Sequence, residues 1–303
     1  MGLILVKQIL QMFLLAGIGF LLFKSGKITR EGSGTIGNIL IYVSLPAVIV
    51  NGFLVERTAE HIRGFLWSAA GALVLLLVSV LVSHLIFRKD GIAAFAAAFS
   101  NPGFFGIPLV IASVGEGAVF YAAAFVAFLN IGQWTYGVSR LTGQPVLQGF
   151  RPGKLIRAPF VLAILAGILL FAFQVPLPGM VRNVISTAAG LNTPLAMFTV
   201  GVYLAQTRLP EMIRKKSLYL IAAVRLLVIP VIAVLLLALL PGSMQQMKAV
   251  LLIAVSCPVG SNVAVYAQLH GKDYPYAVET VIISTLFSVL TIPFVFSLST
   301  LIW

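Results

Sequence analysis

The sequence predicts an all-α integral membrane fold of ten transmembrane helices, and three observations carry that prediction. Apolar runs of roughly 20 residues, each long enough to cross a bilayer as a helix, recur along almost the whole chain. Only 9% of the 303 residues are charged against 60% hydrophobic, whereas a soluble domain carries about a quarter charged residues. The basic residues gather at the ends of the apolar runs rather than along them. A soluble fold of this size could not hide so much apolar surface, because its exterior must meet water. Membrane strands would show alternating segments of roughly ten residues, and no such alternation dominates.

The runs fall at about 3–23, 35–54, 64–87, 91–113, 118–139, 158–174, 183–205, 217–240, 247–270 and 276–300. The first is longer than the core of a signal peptide and has only Lys7 as a basic n-region candidate, so it reads as a span. The second and seventh carry Pro46 and Pro194. The fourth is interrupted by Ser100-Asn101-Pro102-Gly103, and the ninth by Ser256-Cys257-Pro258-Val259. The sixth is short, the eighth contains Arg225, and the tenth has Glu279 near its start. The longest polar connection, Arg140 to Arg157, is rich in Gly and Pro, which marks a loop. It divides the chain into a first repeat at 1–139, a cytoplasmic loop at 140–157 and a second repeat at 158–303.

A net charge of +12 in a soluble protein would suggest nucleic acid. Here the positions of the basic residues are topogenic, so the expected partner is the lipid bilayer and not nucleic acid. The odd-numbered connections hold most of the Lys and Arg, including Lys24, Lys27, Arg88, Lys89, Arg214 and Lys215. That places them in the cytoplasm of a multi-pass protein of the cell (inner) membrane, with both termini outside. Five spans per half then make the halves inverted relative to each other.

The halves also match in sequence. An offset of 156 residues superposes the two interruptions, and it pairs Gly115 with Gly271 and Phe120 with Tyr276. Paired Gly/Pro interruptions at corresponding places in two halves point to an inverted-repeat transporter with its site at the breaks.

The chemistry follows from proline, which removes a backbone donor and clashes with the preceding turn. Pro102 frees backbone groups at bilayer depth, and these must be buried in protein or line a polar cavity. Gly103 and Gly106 allow the backbone to leave helical geometry, and Pro108 reinforces the interruption. Pro258, Gly260, Ser261 and Asn262 do the same in the ninth span. The expectation is two broken helices crossing near the midplane. A half-helix starting after each break points free N–H groups and its positive dipole end at the crossing, which suits a carboxylate. Asn101, Ser261 and Asn262 can add side-chain hydrogen bonds. Pro46, Pro108 and Pro194 are candidate hinges.

Arg225 either snorkels to the cytoplasm or faces the core, pairing with carbonyls or substrate as a coupling or gating candidate. Glu279 is either wet at a cytoplasmic helix end or a coupling or gating group. Asn51, Asn130, Gln133, Thr193 and Tyr42 either line a cavity or join helices. Enzyme chemistry finds no support. There is no intramembrane acid pair, no His-x-x-x-His pair and no phosphate loop followed by Lys. The lone Cys257 excludes an internal disulfide and any multi-cysteine metal site. No cofactor and no metal are expected.

At these residues the chain resembles the auxin efflux carrier family, whose bacterial members include dicarboxylate transporters of the malonate and malate type. The most specific stretch runs from Asn101-Pro102-Gly103 through Gly106-Ile107-Pro108-Leu109. Ala223-Val224-Arg225-Leu226, with Pro230 following, and Pro258-Val259-Gly260 add to it. The resemblance covers the whole chain. It implies transport of small organic anions by an elevator type of alternating access, with Asn101 helping to hold the substrate carboxylate, and a possible homodimer. The central loop is shorter than in many plant carriers, so a plant hormone substrate is not implied. Asn262 stands where plant carriers usually have an apolar residue, which suits a small dicarboxylate. The rival readings are a sodium-coupled bile-acid-type symporter and a non-transporting membrane receptor or enzyme for a small acid.

Overall fold

The computed structural model describes residues 2–146, 153 and 156–303. Most of the connection assigned to 140–157 therefore lies outside the described residues. Among the described residues the chain is all-helical, without a strand. Seven helices among the described residues are long and apolar enough to cross a membrane. They are α1 (Gly2–Lys24), α2 (Arg30–Gly52), α3 (Ala59–Ile86), α6 (Glu116–Thr142), α8 (Gly179–Gln206), α9 (Lys216–Ala238) and α12 (Tyr274–Ile302). Shorter helices fill the intervals: α4 (Gly91–Ala98), α5 (Pro102–Val114), α7 (Pro159–Phe173), α10 (Gln245–Ser256) and α11 (Asn262–Leu269).

Several helices begin outside their apolar runs, because polar caps extend them. Thr29 accepts from the Gly32 N–H at 3.0 Å, and Thr58 accepts from the His61 N–H at 3.1 Å. Asp90 caps α4 through Ala93 at 2.9 Å, and Asp273 caps α12 through Tyr276 at 2.9 Å. Hydropathy marks only the lipid-facing length of a helix. The caps satisfy the orphan N–H groups of a first turn that already lies in the polar zone. Gly115 and Gly271, at φ +108° and +61°, follow the last turns of α5 and α11. A side chain there would meet the left-handed penalty, so glycine is the residue for both stops.

The prolines leave a common signature. Leu40–Ser44, Pro102–Gly106 and Val224–Val228 are wide π-type turns, followed by Pro46, Pro108 and Pro230. Proline lacks an N–H, and its ring collides with the carbonyl four residues back. That carbonyl belongs to Tyr42, Phe104 or Leu226, inside the widened turn in each case. A fourth wide turn, Gln133–Gly137 in α6, has no proline.

Helix pairing places the breaks centrally. α1 runs along α8, α7 packs on α2, α3 packs on α6, and α9 packs on α12. From Ile92 to Ala98 every residue of α4 is buried, as is every residue of α10 from Met247 to Ser256. The outer helices expose apolar side chains such as Leu3, Leu10, Leu14 and Leu21 on α1. With so few charges in the chain, that surface is the one lipid covers.

Candidate functional site

The site is built where α4 and α10 stop. Phe99 to Asn101 leave the helix after α4, and Cys257 to Ser261 leave it after α10. The two stretches meet. Ser100 and Val259 form an isolated antiparallel bridge, and the Gly260 N–H donates to the Phe99 carbonyl at 3.0 Å. The Ser100 hydroxyl donates to the Ala254 carbonyl at 2.8 Å, and the Val259 N–H donates to Ser284 Oγ at 3.0 Å. Backbone groups at the breaks thus find partners across the junction and on α12 that a membrane interior could not supply. Glycine is required at 260, because a Cβ there would lie 2.7 Å from the Ser100 carbonyl oxygen.

Arg225 locks the same junction from α9. It is 1% exposed, and its guanidinium donates to the Ala97 and Ala98 carbonyls at 3.0 Å each and to the Val255 carbonyl. These carbonyls sit at the C-terminal ends of α4 and α10. The planar fork places one positive charge against the negative ends of two helices. Arg225 therefore faces the core and does not snorkel.

On the other side of the junction α5 and α11 begin, and their N-terminal ends border a cavity of about 40 Å3. Asn101, Pro102 and Gly103 from the first break and Gly260, Ser261 and Asn262 from the second line it, with Asn130 and Gln133 from α6. The Asn101 side-chain oxygen caps α5 by accepting from the Phe104 N–H at 3.3 Å, which leaves its NH2 group for a ligand. The backbone N–H groups of Gly103, Ser261 and Asn262 have no acceptor among the described residues. The lining carries no titratable side chain. Uncharged donors and two positive helix ends are suited to an anion.

The remaining predicted residues are placed around this cavity. Gly106 does not line it. A Cβ there would meet Cys257 Sγ at 2.9 Å, so Gly106 serves close packing of α5 on the second break. Pro258 is buried behind the lining. Pro46 and Pro108 follow wide turns, and Pro194 occupies the first turn after a break in helicity at Leu191, where no N–H is needed. Glu279 is 6% exposed, and its carboxylate accepts from Lys215 Nζ at 2.8 and 2.6 Å. It lies outside the cavity lining and is not wet.

Asn192 was not singled out from the sequence. It is 2% exposed, and its Nδ2 donates to the Gly103 carbonyl at 3.0 Å. It also borders a second cavity of about 300 Å3, with Asn51 and Thr193. In the sequence Asn192 is one more polar residue in an apolar run, with no local signal of this contact.

These features define a polytopic helical membrane protein with an uncharged, anion-suited cavity where two discontinuous helices meet. The family model described as "Membrane transport protein" matches residues 4–146 and 145–296. The chain belongs to that family, the auxin efflux carrier family, and is a membrane transporter rather than an enzyme. It is also similar to a protein of Rhizobium meliloti (strain 1021) named "Putative malonate transporter". The two are 28% identical over 304 residues, covering 94% of this chain and 92% of the relative.

Proposed function

We propose that this chain is a secondary transporter of small carboxylates in the cell membrane, working by elevator-type alternating access, with the substrate held where the two breaks meet. The observation that carries the reading is the cavity itself. Neutral amide and hydroxyl donors from both breaks line it, and so do the N-terminal ends of α5 and α11. The name of the Rhizobium relative supports malonate as the first acid to try.

Helix pairing supports the inverted five-plus-five repeat. Counting α4 with α5 and α10 with α11 as broken spans gives ten. Exchanging the halves turns the first-on-seventh contact into sixth-on-second, and third-on-fifth into eighth-on-tenth. Both members of each pair of contacts are present. In this reading α1, α2, α7 and α8 form the static scaffold, and the other helices travel with the substrate. A cavity of about 40 Å3 holds only a few waters at about 10–15 Å3 each. A dicarboxylate needs more room, so its entry requires the breaks to move relative to the scaffold.

The test is uptake of labelled malonate and malate into proteoliposomes, wild type beside Asn101→Ala. Saturable uptake by the wild type that Asn101→Ala abolishes, with the variant still folded, is the expected result. Unchanged uptake in the variant would mean that the first break is only a kink.

A further inference from the structure

We infer that Gln133 selects a second anionic oxygen on the substrate and so makes the site specific for short dicarboxylates over monocarboxylates. The inference rests on the carboxylate reading above. Gln133 belongs to α6 and to neither break, yet it lines the same cavity as Asn101 and Ser261. It is 0% exposed. Its Oε1 accepts from Asn262 Nδ2 at 2.8 Å. Its Nε2 is buried with no hydrogen-bond partner among the described residues.

Buried amide donors are normally satisfied, and one left without a partner is destabilising. The Asn262 contact holds the Gln133 oxygen, and the group left without a partner is the Nε2 donor. A ligand that satisfies Gln133 must therefore bring an acceptor. A metal ion or ammonium group would find the wrong polarity. Free backbone N–H groups and the Asn101 amide serve one carboxylate at the helix ends. Gln133 reaches the cavity from α6 and from neither break, and the acceptor we assign to it is a second carboxylate on the same small molecule. The wide turn Gln133–Gly137 begins at this residue, with no proline to require it. Such turns recur at functional positions.

The experiment compares dissociation constants of malonate and propionate for the purified full-length protein, by calorimetry, in wild type and Gln133→Met. These acids share a three-carbon skeleton and one carboxylate, and only malonate has the second. Methionine keeps the length of glutamine and removes the donor. Losing a hydrogen bond to a charged group corresponds to about tenfold or more in affinity. Gln133→Met is expected to weaken malonate by that factor and leave propionate unchanged. Asn262→Val, which frees the Gln133 acceptor and loosens its orientation, is expected to weaken malonate selectively too. Equal weakening of both acids, or of neither, in both variants would overturn the role of Gln133 while leaving the carboxylate site standing. Wild-type protein that binds neither acid would overturn the carboxylate reading itself.

Discussion

Gly260 measures how closely the two breaks approach. Adding one methyl places it 2.7 Å from the Ser100 carbonyl oxygen, a backbone atom that cannot swing away. Gly260→Ala is expected to force the bridge apart at about 1–3 kcal/mol. Thermal unfolding of the purified protein should shift down, and carboxylate uptake should fall with it. The pairs around this glycine also show what a sequence can reveal. Asn101-Pro102-Gly103 announces a break because its residue types have local conformational meaning. The Asn262–Gln133 pair spans 129 positions and has no local signature. Asn192 reads as one more polar residue in an apolar run until Gly103 is found beside it.

Arg225 acts between elements. It joins α9 to the C-terminal ends of α4 and α10 through three carbonyl acceptors. Arg225→Leu removes charge-assisted bonds of about 1.5–3 kcal/mol each, so a loss of about 3 kcal/mol or more is expected. Arg225→Lys keeps the charge without the fork and should fall between. The check is the unfolding temperature of the three proteins in detergent. Lys215 and Glu279 join the start of α9 to α12 in the same way, but Lys215 is 42% exposed. Glu279→Gln is therefore expected to lower thermal stability slightly and leave uptake intact. Sequence alone left Arg225 between two readings, because snorkelling and core-facing arginines occupy the same depth in a span. The choice depends on which carbonyls end nearby, and that is a tertiary fact. The wide turns were illegible for a related reason. Proline predicts a disturbed helix, but the turn before it can kink, break or widen.

The whole molecule was the most legible scale, because its all-helical membrane character follows from composition and run length alone. Its seven long helices leave α7 and the two broken spans to decide the topology. If all three cross, both termini lie on the same face, and the basic connections place that face outside. The single cysteine makes the test simple. In a Cys257→Ser background, Gly2→Cys and Trp303→Cys should react with a membrane-impermeant thiol reagent in intact cells. Lys272→Cys should react only after the membrane is opened. Opposite reactivity of the two ends would remove one of the short elements from the membrane and end the inverted-repeat reading.

The cavity lining has no group that can take up or release a proton. Whatever charge the protein itself carries returns to its place over a full cycle. With no other ion coupled to the cycle, the current per cycle would be that of the cargo alone. Moving one charge through 100 mV is worth about 2.3 kcal/mol, so a dianion feels about 4.6 kcal/mol. A cell negative inside would hold such an acid out by a concentration ratio on the order of a thousandfold. If the carboxylate crosses without a coupled ion, the proposed carrier would serve as a voltage-driven exit, and uptake into vesicles should rise when their interior is made positive.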